Sequence, residues 1–222
     1  MSIDYMSAQL PTELPNDPMT WAQAWLTEAT ERAVQPNPNA MTLATATATG
    51  EVSARIVLCK SFIADPGYLV FYSNYESRKG REIAENSRVS ALFHWDQFGR
   101  QIRLEGRAVH SPVAESDEYF ASRHRGSQLG AWGSDQSRPI ESRDALKQQL
   151  AKREAALFAN RDDTDVPRPP HWGGFRLWPH DIELWIDAKD RIHDRARWTR
   201  EVTPADEHSF NVGPWSGSRL QP

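Results

Sequence analysis

Arg191, His193 and Arg195 occupy alternate positions near the end of a 222-residue chain. On an extended backbone, alternate side chains share a face. The trio would then offer three cationic or ionisable donors to a planar anionic ligand. The same spacing suits a solvated strand edge whose charge discourages aggregation, and spacing alone does not separate the two. A second group comprises Arg55 and Ser77-Arg78-Lys79. A helix opening at Ser77 would add free N–H groups and a favourable dipole for an anion. Arg and Lys would supply charge-assisted hydrogen bonds to a phosphate. The competing reading is a solvated helix start, although the dipole slightly disfavours cations there. In a third group, Tyr119 and Arg123 are four apart and share a helix face, with Ser127 one turn on. Taken by itself, that spacing is as well explained by a surface pair at a helix end.

The chain carries 26 Lys and Arg against 30 Asp and Glu, a formal net charge of −4. A general nucleic-acid binder would usually be basic. The positive charges gather at Arg78-Lys79-Arg81, at Arg123 and Arg125, and at Arg191, Arg195 and Arg197. Such clusters suit small anions, unless they only pair with the many carboxylates. A single cysteine, Cys59, rules out an intrachain disulfide and multi-cysteine metal sites. No metal is expected, and Cys59 reads as a small buried hydrophobe in a reducing compartment. The chain has no run of 18 apolar residues and no signal-peptide pattern, so a cytoplasmic protein without a membrane partner is expected. Nine Trp is a high count for this length, and aromatic faces are what flat cofactors pack against.

The elements that must position these groups are readable. Asp17-Pro18 combines an N-cap with proline at the first helical position. Ala22, Trp25, Leu26, Ala29 and Ala33 form the apolar stripe of that helix, and Pro36 to Asn39 stop it. Strands are expected over 40–47 and 52–60 around a turn at 49–51, then over 68–73 after Asp65-Pro66-Gly67. A helix follows over 77–86, then a hairpin of 88–95 and 101–110. Helices over 111–123, 126–133 and 142–160 lead to a Pro-rich connector at 164–170. A strand that Gly173-Gly174 let bend or approach a neighbour closely then leads to a second, Ile182 to Ile186, and the Arg191–Arg195 cluster follows on extended chain. No G-x-G-x-x-G follows a strand, which argues against a dinucleotide fold. Strands on both sides of the helices are best satisfied by one antiparallel sheet that closes on itself, with helices packed outside.

Several of these stretches, in order, resemble the pyridoxamine 5'-phosphate oxidase family, flavin enzymes of vitamin B6 metabolism. They are Arg55 to Lys60, Phe71 to Asn74, Ser77 to Lys79, Tyr119 to Trp132, Gln136-Ser137, Trp172 to Arg176, Arg191 to Arg195 and Arg219 to Pro222. The resemblance runs from about Asp17 to the last residue. It implies a mainly β, α+β fold: an antiparallel split β-barrel of Greek-key type with helices outside. Residues 1–16 would form a flexible arm before a single FMN-binding domain over 17–222. The protein would work as a homodimer with active sites at the subunit interface.

The resemblance also assigns roles. Arg55, Arg78 and Lys79 would hold the FMN phosphate, while Arg55, Ile56, Val57, Leu58, Cys59 and Lys60, with Tyr72 and Ser73, frame the flavin. Gln101 would contact the cofactor, and Gln136, Ser137, Trp185 and Arg195 would reach it from the partner subunit. Lys60, Tyr119, Arg123 and Ser127 would cradle the substrate phosphate. Arg191 and His193 would face the substrate ring, His193 in its neutral form because two Arg flank it. The implied reaction is FMN-dependent oxidation of pyridoxine and pyridoxamine 5'-phosphates to pyridoxal 5'-phosphate. Dioxygen would be the acceptor, yielding hydrogen peroxide and, from the amine, ammonia. Two alternatives stand beside it: a related flavin oxidase acting on another ring, such as a phenazine precursor, and a split-barrel protein that holds flavin or haem without turnover. The sequence departs from the family at residues 1–16, which lack the Arg and Lys of a basic lid and offer only Tyr5. Asp162, Asp163 and Asp165 are expected in a solvated loop.

Overall fold

The computed structural model describes residues 9–159 and 165–222. Tyr5, Asp162 and Asp163 lie outside the described residues. Helix α1 (Pro18–Glu31) starts where Asp17 accepts hydrogen bonds from the N–H groups of Met19 and Thr20, at 2.9 and 3.3 Å. Its Met19, Trp21, Ala22, Trp25 and Ala29 are buried in the main core.

Strands β1 (Ala40–Ala46) and β2 (Val52–Leu58) form the first hairpin, with Thr42 opposite Ile56 and Leu43 opposite Arg55. A short strand β3 (Ser61–Ile63) and β4 (Tyr68–Asn74) follow. The expected strand over 52–60 is therefore interrupted after Leu58. Helix α2 (Arg78–Glu85) leads to β5 (Arg88–Trp95) and β6 (Arg100–His110), joined by a 3-10 turn over 96–98. Helices α3 (Val113–Ala121), α4 (Arg125–Gly133) and α5 (Arg143–Phe158) precede β7 (Trp172–Ile186) and β8 (Asp194–Thr199). A small hairpin of β9 (Val202–Pro204) and β10 (Phe210–Val212) and the last strand, β11 (Ser216–Leu220), complete the chain.

The main sheet runs β11-β8-β7-β6-β5-β1-β2, antiparallel throughout, and curls into a half-barrel. One edge of β7 pairs with β6 along its length. The other pairs first with β4 and then with β8, so the sheet divides there. The fold is the split barrel that the strand order implied. Met41, Leu43, Phe71, Phe93, Trp95, Ile102, Leu104, Phe175 and Leu184 are fully buried in its interior.

Two features depart from expectation. β7 is one strand of 15 residues, not two around a glycine hinge. Of the bend or close approach that its glycines allow, they serve close approach: a Cβ on Gly173 would collide with the Tyr75 hydroxyl. The second departure lies just before β8. Lys189–Arg191 is a 3-10 turn in which Asp190 and Arg191 are left-handed, at φ 58° and 61°. The Arg191-x-His193-x-Arg195 spacing therefore spans a turn and a strand start, and the shared-face argument fails at Arg191. Of the expected arm, residues 9–16 pack on the body. Leu10 is buried in the main core, and Trp198 donates its indole N–H to the carbonyl of Pro15 at 2.8 Å. Among the described residues, no helix is long and apolar enough to cross a membrane.

Candidate active site

A cleft of about 890 Å³ opens between β2, β4, the start of α2 and the α3–α4 region. It gathers Arg55, Ile56, Val57, Leu58, Lys60, Tyr72, Ser73, Lys79, Tyr119, Arg123, Ser127, Gln136 and Ser137, all expected from the sequence. Asn74, Ser122, His124 and Trp172 also line it and were not singled out. All four lie inside stretches already quoted for the resemblance. Their signal was present but carried no assigned role.

One end of the cleft is built around Lys79. Its ammonium donates to Gln136 Oε1 at 2.9 Å, Ser73 Oγ at 3.0 Å and Ser77 Oγ at 3.2 Å. All three acceptors are neutral. Burial, reinforced by the charge of Arg55 and opposed by Glu82, lowers the Lys79 ammonium from 10.5 to about 8. Arg55 is held rigidly beside it. Nη1 donates to the carbonyl of Leu43 and the hydroxyl of Thr45, and Nη2 meets Glu82 at 3.2 Å. Burial acts to raise the Glu82 carboxyl. Hydrogen bonds from Ser53, Thr45 and Arg78 and the charge of Arg55 outweigh it, leaving the carboxyl at about 2. Ser77 caps α2, accepting from Gly80 N at 3.3 Å.

The other end is aromatic. Tyr72 stacks on Tyr119 with centroids 3.8 Å apart, and Trp172 continues the wall at 5.7 Å from Tyr72. The Arg123 guanidinium lies 4.4 Å over the Trp172 ring, and Lys60 Nζ lies 5.9 Å from the centre of Tyr119. Arg123 Nη1 is buried without a hydrogen-bond partner among the described residues. Burial pulls the Arg123 guanidinium down from its usual range, with Tyr119 opposing. An orphaned cationic donor in a cleft is rare, because its desolvation is uncompensated. It fits an anionic ligand.

Other expected residues lie elsewhere. Arg78 is exposed and pairs with Glu82 across one helical turn at 2.8 Å, so it braces the carboxylate instead of lining the cleft. Cys59 is buried, its thiol pushed up to about 12 by burial. Asn39 engages both its N–H and its carbonyl, at 2.9 and 2.7 Å. Gln136 and Ser137, expected from a partner subunit, line the cleft of their own chain, with Ser137 left-handed at φ 70°. Gln101, Trp185 and Arg195 form one cross-strand row on β6, β7 and β8. His193 packs on Trp185 with centroids 4.6 Å apart. Its Nδ1 faces Asp187 Oδ1 at 3.0 Å and the Ala188 N–H at 3.2 Å, not two arginines. Arg195 donates to Glu183 at 2.8 Å, and Arg191 is exposed with no ion pair to a described residue. This row is absent from the cleft lining. Trp172 and Trp185 are thirteen residues apart on β7, roughly 40 Å of extended chain.

Residues 26–155 match the family model described as pyridoxamine 5'-phosphate oxidase. Residues 172–222 match the pyridoxine 5'-phosphate oxidase C-terminal dimerisation region. The pyridoxine/pyridoxamine 5'-phosphate oxidase of Paraburkholderia phytofirmans is 47% identical over 95% of this chain and 91% of its own. That of Rubrobacter xylanophilus is 48% identical over 93% of this chain and 87% of its own. Among solved structures, PhzG from Burkholderia lata 383 in complex with tetrahydrophenazine-1-carboxylic acid is similar, with a TM-score of 0.78 at 32% identity over 94% of both chains. By its sequence, its split barrel and the residues gathered in its cleft, the chain belongs to the pyridoxamine 5'-phosphate oxidase family.

Proposed function

We propose that the chain oxidises pyridoxine and pyridoxamine 5'-phosphates to pyridoxal 5'-phosphate, using FMN and dioxygen and releasing hydrogen peroxide and, from the amine, ammonia. The observation that carries this reading is one cleft that gathers two cationic groups, one around Lys79 and one around Arg123. The Lys79 end, with Arg55, Ser73, Gln136 and Ser137, suits the FMN phosphate. The Arg123 end, with Lys60, Tyr119 and Ser127, suits the substrate phosphate, and the orphaned Arg123 Nη1 is the donor that such a group would satisfy. Bound FMN would supply the hydride acceptor and the route to dioxygen, which is cofactor chemistry rather than side-chain chemistry.

The protein's part is to bind, orient and exclude water. Residues 56–58 of β2 and the Tyr72–Tyr119 wall suit the faces of flat rings. Arg191 and His193 would orient the carbon that loses hydride. They do not line the cleft of their own chain, so the reading requires a two-fold partner to bring Gln101, Trp185, Arg191, His193 and Arg195 to it. The matched C-terminal dimerisation region supports such a homodimer. Residues 17–222 would then act as one FMN-binding domain of a cytoplasmic enzyme.

A second reading has specific support. Likeness to PhzG, a structure that holds tetrahydrophenazine-1-carboxylic acid, favours oxidation of a larger ring without a phosphate. The phosphate ends of the cleft weigh against it, as does the higher identity to the B6 oxidases. The test is oxygen uptake by FMN-loaded protein. Rapid uptake with pyridoxine 5'-phosphate and very slow uptake with pyridoxine is expected. Equal rates with both would favour the larger-ring oxidase, and no uptake with either would favour a binding protein.

A further inference from the structure

Helix α5 has no buried residue, yet it carries a set of polar contacts to one place. Arg153 grips Asp135 with both terminal nitrogens, Nη1 to Oδ1 at 2.9 Å and Nη2 to Oδ2 at 2.8 Å. One turn earlier, Gln149 donates to the carbonyl of Gly133 at 2.9 Å. Leu150 lies so close to Gly133 that a Cβ there would fall 2.0 Å from its Cδ2. These contacts converge on the end of α4 and the first residues of the loop after it.

That loop leads directly into the cleft. Gln136, next to Asp135, accepts from Lys79 Nζ at 2.9 Å. Ser137 follows in a left-handed conformation that a serine holds only when its surroundings enforce it. A planar guanidinium forked onto a carboxylate fixes orientation as well as distance. We propose that Arg153 is a positioning residue for the phosphate-binding end of the cleft, pinning Asp135 so that Gln136 and Ser137 stay in place to receive an anion. This rests on the reading of that end as the FMN-phosphate site. Arg153 touches neither cofactor nor substrate, and its side chain is 38% exposed.

The test compares FMN with riboflavin, which has the same ring and no phosphate, by fluorescence titration of the apoprotein. In Arg153→Ala, FMN affinity should fall about tenfold, the lower end of what lost outer-shell support costs at bound groups. Riboflavin affinity should not change. Asp135→Asn should do the same, and the double variant should be no worse than either single one, since both break one contact. Arg153→Lys, which cannot fork, should recover only part of the loss. Far-UV circular dichroism and the apoprotein Tm, both expected near wild type, exclude a folding defect. FMN affinity within twofold of wild type in Arg153→Ala overturns the proposal and leaves the FMN reading intact. Equal weakening of FMN and riboflavin overturns it in favour of a general structural role. Failure of the unaltered protein to prefer FMN over riboflavin overturns both.

Discussion

In the cleft, Lys79 is buried among neutral oxygens and Arg123 keeps a buried nitrogen without a partner among the described residues. At the far end of β7 three arginines are matched to carboxylates instead, while Arg191 just beyond it has no ion pair to a described residue. Arg103 and Arg195 share Glu183 at 3.1 and 2.8 Å, and Arg197 pairs with Asp181. A cation buried without a counter-charge is costly, and a bound dianion relieves that cost. A cation already paired with a carboxylate, as Arg55 is with Glu82 inside the cleft, gains less from another anion. The cleft is therefore suited to hold phosphates, and the Trp185 row to position rings and reacting atoms. One chain carries both halves but does not bring them together.

The sharpest test of that division mixes an Arg55→Ala chain with an Arg195→Ala chain, each nearly inactive alone. If the halves meet across a two-fold interface, each heterodimer has one site with both defects and one with none. Random mixing should then restore about a quarter of wild-type activity. No recovery, in a mixture shown to exchange subunits, would place both halves of the site on the same chain.

Within the far half, Arg191→Met should lower kcat by about 100-fold, because small errors in aligning reacting atoms are that costly. The spectrum and affinity of bound FMN should stay near normal, since Arg191 is proposed to face the substrate ring and not the cofactor. Wild-type turnover in that variant would remove Arg191 from the site.

The two halves were unequally legible in the sequence. Asp17-Pro18 and the turn at Gly50 mark their elements by local chemistry, and a helix and a hairpin form there, but α1 ends at Glu31, ahead of the Pro36–Asn39 stop, and leaves Ala33 of the expected stripe left-handed and exposed. Tyr72, Lys79 and Arg123 sit where the motif order implied. The far half is less legible because alternation of residue types predicts extended chain where the backbone turns. The left-handed backbone at Asp190 and Arg191 leaves no trace in residue spacing. Arg78 misled differently: neighbouring Arg78 and Lys79 leave α2 about 100° apart, so one is buried in the cleft and the other reaches Glu82. Which chain supplies Gln136 depends on the path of the α4–α5 loop, a long-range property that no local pattern encodes.

A smaller effect separates the two ends of the cleft. Arg123→Ala should lower kcat/KM for pyridoxine 5'-phosphate by about 10- to 100-fold, mostly through KM, since the phosphate is remote from the reacting carbon. Unphosphorylated pyridoxine, already poor, should be almost indifferent to the substitution. FMN affinity should not move. Equal damage to both substrates would mean that Arg123 supports the aromatic wall rather than a phosphate.

The mildest perturbation is pH, and it acts on Lys79. Its ammonium is lowered from 10.5 to about 8 by burial, with Arg55 assisting. A phosphate dianion binds the protonated amine and raises its pKa in the complex. FMN affinity should therefore be nearly flat around pH 7. It should weaken by up to about tenfold per unit above pH 8, until the raised pKa of the complex is reached. Riboflavin affinity should show no such slope, and Lys79→Arg should remove it, because a guanidinium keeps its charge there. Apoprotein stability should move the other way. Between about 8 and 10.5 the unfolded chain holds this proton and the folded one has lost it. The Lys79 contribution thus rises with pH across that window, and the penalty for burying the charge is full below it. Opposite slopes for FMN affinity and apoprotein stability would mark Lys79 as a residue kept for its ligand at the expense of the fold. Parallel slopes, or none, would mean that Lys79 is satisfied by Ser73, Ser77 and Gln136 alone, and the contrast between the cleft and the Trp185 row would then rest on Arg123.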